Sequence, residues 1–167
     1  MSIDNYNNFE LQAMRKLLML DVSEAAECIK GSMTTGVTVR TWQRWEKGDF
    51  SVPEDIQNEL MGCLQWRSRL IDECIEEYPF DSDETMQIKW YHTFEDFLVD
   101  YPDQIKLMWR IHQSVCAFMF LESDNIELSG TAPVNENSYM HKFFSGTTEE
   151  QLERKRMEEV LKRKGIE

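Results

Sequence analysis

Gly36-Val-Thr-Val-Arg-Thr-Trp-Gln-Arg-Trp-Glu-Lys-Gly48 decides the reading of this chain. It reads as a turn followed by a short helix that carries polar residues outward and two tryptophans inward. With Thr38 as N-cap, Trp42 and Trp45 lie three apart on one face, and Val39, Arg40, Gln43 and Arg44 occupy the first two turns with much of their surface free. Arg and Gln are the side chains whose paired hydrogen bonds distinguish guanine and adenine in the major groove. Gly48 ends the helix, and Lys47 in its last turn favours the C-terminal dipole and is within reach of a phosphate. The pattern is that of a DNA-reading helix.

Upstream, Leu11, Met14, Leu17 and Leu18 repeat at helical spacing behind a capping pair, Asn7 and Glu10. Asp21 and Glu24 offer a second start before Ala25, Ala26 and Ile29, so two short helices precede the reading helix. Downstream, Ser51-Val-Pro-Glu54 opens a long helix whose largely apolar stripe, Ile56, Leu60, Leu64, Arg67, Leu70, Ile71, Cys74 and Ile75, runs to about Glu77.

The arrangement resembles the Cro/repressor type of helix-turn-helix, with Ala26 at the small-residue position of the scaffold helix and Gly36-Val-Thr38 at the turn. About residues 6 to 128 resemble the YdiL-like bacterial helix-turn-helix proteins, a group that includes anti-CRISPR-associated repressors. The residues that carry this are Phe9-Glu-Leu-Gln-Ala-Met-Arg15, Trp42-Gln-Arg-Trp-Glu-Lys-Gly48, Val52-Pro53, Tyr101-Pro-Asp103 and Trp109-Arg-Ile-His-Gln-Ser-Val115. The resemblance implies a DNA-binding protein with a C-terminal region that pairs two copies. One departure is Lys30-Gly-Ser-Met-Thr-Thr35, inserted between Ile29 and the turn glycine, whose Ser, Thr and Lys read as a solvated loop with phosphate contact as the alternative.

With 167 residues, 41% of them hydrophobic, the chain is long enough for one compact domain or two small ones. The first residues lack the basic and apolar regions of a signal peptide, and the longest apolar run, Cys116 to Leu121, is far short of a bilayer span, so a cytoplasmic protein without a membrane partner is expected. Cys28, Cys63, Cys74 and Cys116 form no closely spaced pair and read as buried thiols.

The net charge of −13 is unevenly spread. Residues 1–50 hold six Lys or Arg against seven Asp or Glu (−1), residues 51–150 six against twenty (−14), and residues 151–167 six against four (+2). The acid therefore lies away from the reading helix, where Arg40, Arg44 and Lys47 gather. A locally positive face on an acidic protein implies selective binding with poor affinity for arbitrary DNA.

In the second half, Thr85-Met-Gln-Ile-Lys-Trp-Tyr91 alternates as a strand, with Met86, Ile88 and Trp90 on one side and Gln87, Lys89 and Tyr91 on the other. A single strand needs a partner, either a weakly signalled one elsewhere in the chain or the same strand of a second molecule. The second option gives a homodimer with two reading helices on the half-sites of an inverted repeat; the alternative is a monomer whose strand packs on its own C-terminal region. Helices follow over Glu95 to Tyr101 and Asp103 to Leu121. Residues 129–146 read as a linker or loose loop, and a terminal helix with a Thr147 and Glu150 capping box is expected before Gly165.

The fold expected is mostly α: a Cro/repressor-like helix-turn-helix domain over 6–78, a small α+β dimerisation region with one short strand over 79–128, and a linker and tail over 129–167. The candidate base-reading residues are Val39, Arg40, Gln43 and Arg44; the candidate DNA-backbone contacts are Ser23, Thr38, Thr41 and Lys47. His112 and Cys116 are four apart, a spacing that can ligate a metal, but no further ligands are evident and both read as packing residues. The acidic clusters read as solvated faces. With no phosphate loop, nucleophile elbow or zinc motif, no catalytic residue, cofactor or metal is expected. The leading expectation is a dimeric, sequence-specific transcriptional repressor on double-stranded DNA. The alternatives are a protein-interaction module, such as an antitoxin or adaptor, and an RNA-binding regulator.

Overall fold

The computed structural model describes residues 6–33, 35–78 and 83–146, together with 157, 160 and 163–165. Two compact units divide the chain at residues 68 and 69, within its longest helix.

The first unit contains α1 (Asn8–Leu17), α2 (Val22–Cys28), α3 (Val39–Lys47) and the first part of α4 (Glu54–Glu77). Both expected capping boxes form. Asn7 accepts from the Glu10 amide at 2.9 Å while Glu10 accepts from the Asn7 amide at 3.0 Å, and Asp21 and Glu24 do the same for α2 at 2.7 and 3.2 Å. Helix α3 packs on both α1 and α2. Its inner face buries Trp42 completely and Trp45 almost so, their rings edge to face at 5.5 Å; Leu11, Leu18, Ala26, Ile29, Ile56 and Leu60 are also buried in this unit. Leu17, expected on the apolar stripe of α1, is about half exposed.

The second unit is built on a small parallel sheet. Strand β1 (Met86–Lys89) pairs with β2 (Ile126–Ser129) in the register Met86↔Ile126 to Lys89↔Ser129. The missing partner of the sequence-predicted strand is thus in the same chain, so the need for a first pairing partner no longer argues for a second molecule. The signal of β2 is weak because its burial alternates only once, Ile126 buried and Glu127 exposed, whereas the sequence around β1 alternates from Thr85 to Tyr91. A parallel pair requires a crossover, here supplied by α5 (Phe94–Asp100) and α6 (Lys106–Glu122), with α6 packed on β2. The strand stops before Trp90 and Tyr91, so Tyr91 leaves the alternation and is buried. Its carbonyl accepts from the Trp109 indole at 2.8 Å and the Gln113 amide at 2.9 Å.

Residues 129–146 differ from the loose loop expected. Tyr139–Gly146 forms a helix, α7, and Ala132, Met140 and Phe144 are buried. Its first amide donates to both carboxylate oxygens of Glu77, at 2.9 and 3.1 Å, a favourable place for negative charge. The reason is aromatic packing that runs of Asn, Ser and Thr conceal in sequence. Phe144 joins Phe97, Tyr101 and His112 at ring separations of 5.1 to 6.0 Å. His112 lies fully enclosed there, with Cys116 Sγ 3.4 Å from its Nδ1, and both pack in the core of this unit. Burial holds the imidazole neutral, its pKa lowered to about 3. The capping pair expected at Thr147 and Glu150 lies outside the described residues. No helix among the described residues is long and apolar enough to cross a membrane.

Candidate nucleic-acid interface

Helix α3 starts as its sequence indicates. Thr38 is extended, with φ −75° and ψ 154°, and its hydroxyl accepts from the Thr41 amide at 3.1 Å while sharing a 2.9 Å bond with the Thr41 hydroxyl. At the other end Gly48 takes a left-handed conformation, φ 88°, and its amide donates to the Trp45 carbonyl at 3.1 Å. The Asp49 amide reaches back to the Arg44 carbonyl at 3.0 Å, completing a Schellman motif.

At 100° per residue, Arg40, Gln43, Arg44 and Lys47 fall on one stripe, and Trp42, Trp45 and Glu46 on the opposite side. Burial follows that division. Thr38, Val39, Arg40, Gln43 and Lys47 are exposed, whereas Thr41 and Arg44 are half-buried. Among the described residues, Arg40, Gln43 and Lys47 have no side-chain hydrogen bond or ion pair. Ser23 stands exposed in the first turn of α2, where Asp21 and not Ser23 supplies the cap.

The inward side is fixed by an interaction that the sequence reading missed. Arg15 of α1 is buried and bonds both carboxylate oxygens of Glu46, Nε at 2.7 Å and Nη2 at 2.8 Å, while Nη1 donates to the Leu20 carbonyl at 2.9 Å. The Trp42 indole donates to the same carboxylate. Burial pushes the Glu46 carboxyl up, but the bonds from Arg15 and Trp42 outweigh it and hold its pKa below the usual carboxylate range. The one acid of α3 is thereby neutralised away from the outer stripe. The available signal was spacing: Arg15 lies four residues after Leu11, and Glu46 four after Trp42.

The connection from α2 to α3 is also anchored. The Gly31 amide donates to Glu59 at 2.6 Å, and the Ser32 amide and hydroxyl both donate to Asp55 at 2.7 Å. The Ser32 bonds hold the Asp55 carboxyl below its ordinary range. Ser32 is therefore engaged with α4, and the two carboxylates beside it disfavour a phosphate. Gly36 passes so close to α2 that a Cβ would lie 2.3 Å from the Ala26 carbonyl oxygen, which explains glycine at that turn.

Residues 6–128 match the Aca2/YdiL-like family. The chain belongs to that family. The Aca2 repressor of Pectobacterium phage ZF40 is 40% identical over 115 residues, covering 69% of this chain and 93% of the relative. The uncharacterized protein YdiL of Escherichia coli (strain K12) is 29% identical over 115 residues, or 68% and 92%. The Aca2/YdiL-like match includes the whole of α1 to α6 and ends inside β2, so α7 lies beyond it.

Proposed function

We propose that this member of the Aca2/YdiL-like family is a sequence-specific DNA-binding transcriptional regulator that acts as a repressor. Helices α2 and α3 serve as a helix-turn-helix, and α3 enters the major groove. Val39, Arg40, Gln43 and Arg44 read base edges, while Ser23, Thr38, Thr41 and Lys47 contact the backbone. The observation that carries this reading is the outer stripe of α3, cationic and exposed except for the half-buried Arg44, on a helix whose inner side is clamped by Trp42, Trp45 and the Arg15–Glu46 pair. The 40% identical relative is itself named a repressor, which supports the direction of regulation.

The functional unit proposed is a homodimer on an inverted repeat, because one reading helix makes few base contacts and two-fold symmetry doubles them. Exposed Val99, Phe120 and Leu121 on the second unit give apolar surface suited to pairing. Occupancy of the site then excludes polymerase. Selection from random and genomic duplex libraries tests the function, with anisotropy titrations at several salt concentrations and light scattering for mass. An inverted repeat bound by two protomers, lost in the R40A/R44A variant that keeps its fold, is the expected result. Failure of folded protein to enrich any duplex would overturn it and favour RNA or a protein as the partner.

A further inference from the structure

Arg40 and Arg44 are one turn apart on the same stripe, yet their surroundings differ. Arg40 projects into solvent, whereas the Arg44 guanidinium lies over the ring of Phe50, Cζ 5.6 Å from its centroid. This contact follows from the end of α3. The left-handed Gly48 reverses the chain, the Asp49 amide closes on the Arg44 carbonyl, and the next residue, Phe50, is laid back across the Arg44 side chain. Phe50 is 58% exposed, so its ring is not a core anchor. With Tyr6, Trp45 and Val52 it lines, without filling, a cleft of about 220 Å³.

We infer that Phe50 is a positioning residue for Arg44, making Arg44 the arginine that sets base preference at one step of each half-site while Arg40 acts with less direction. A guanidinium confined over a ring loses less freedom when it forms its paired bonds to a guanine, and those bonds need a defined plane. A free arginine adapts to phosphate or base alike.

The inference rests on the DNA-reading function proposed above. Its test uses the full chain and the duplex selected by the wild type, together with every single base-pair substitution of that duplex. F50A, F50W, R44A and F50A/R44A are compared by titration, with circular dichroism as a check on folding. Expected for F50A is a loss of discrimination of about three- to tenfold, confined to the base pair that R44A also relaxes, with an unchanged salt slope. F50W restores the discrimination, and the double variant is no worse than R44A at that step. Should F50A be unfolded, Phe50→Leu keeps the apolar bulk without the aromatic face and carries the same comparison. Full discrimination in F50A or in Phe50→Leu, or a uniform weakening across all sequences, overturns the inference while leaving the regulator intact. A wild-type protein that selects no duplex overturns both.

Discussion

Arg15 of the first helix grips both carboxylate oxygens of Glu46 in the third, at 2.7 and 2.8 Å, with both side chains about nine-tenths buried. A bidentate pair in that position fixes both the rotation and the height of α3 against α1. Glu46→Gln leaves a buried guanidinium without its counter-charge, and a loss of about 3 kcal/mol is expected from urea unfolding. Replacing both partners together, R15M with E46L, should recover much of that loss.

The same pair has a pH signature. The Glu46 pKa is lowered in the folded protein, so its stabilisation is fully present above the ordinary carboxylate value of 4.5 and disappears as pH falls through the lower folded value. Unfolding curves collected from pH 6 down to pH 3 should steepen below about 4.5. E46Q should flatten that limb relative to wild type.

His112 titrates in a different window. Its folded pKa is about 3, so the unfolded chain takes up the proton first and stability declines as pH drops below the ordinary value of 6.5. His112→Leu should remove this slope between about pH 6 and 4, read by denaturant midpoints. An unchanged slope would mean that the ring is hydrated.

Gly36→Ala forces the turn away from α2, because the new methyl would sit 2.3 Å from the Ala26 carbonyl oxygen. The expected result is a loss of about 2 kcal/mol or more, with weakened selection of any duplex even at temperatures where the variant is folded. Retention of wild-type melting would show that the backbone can yield there.

Lys47 is exposed at the end of the stripe and is proposed to meet a phosphate. Lys47→Ala should weaken binding evenly across related sequences and reduce the salt slope by about one. A change in base preference would reassign it to the base-reading set.

Phe144 tests whether α7 is integral to the second unit. It is 1% exposed and touches Phe97, Tyr101, His112 and Phe143. Phe144→Ala should reduce stability by about 3 to 4 kcal/mol, whereas a loosely attached helix would tolerate it.

Local signals were legible wherever a few neighbouring residues determine the outcome. The caps at Asn7, Asp21 and Thr38, the stop at Gly48 and the span of α4 all depend on chemistry within four residues, and each is found as read. What escaped depends on groups far apart in sequence. Arg15 and Glu46 are 31 residues apart and Ser32 and Asp55 are 23 apart; spacing can put Arg15 and Glu46 on the inward faces of their own helices, but it does not name either one's partner. Helix α7 escaped for a related reason: its burial is supplied by rings from α5 and α6, while its own neighbourhood of Asn, Ser and Gly resembles a loop. On the outer stripe, helical spacing placed Arg40, Gln43 and Arg44 together, but only the fold distinguishes the arginine that meets Phe50 from the one that does not.

The parallel pairing of Met86 with Ile126 has a kinetic consequence. The two residues are forty positions apart (126 − 86), so the ladder forms only after a long loop closes. During synthesis β1 leaves the ribosome well before β2, with its ladder partner absent and Ile88 uncovered, while the largely local contacts of the first unit are already available. The nascent chain is therefore most prone to aggregate in that interval, and pulse-labelled hydrogen exchange should find the amides of residues 86–90 among the last to be protected.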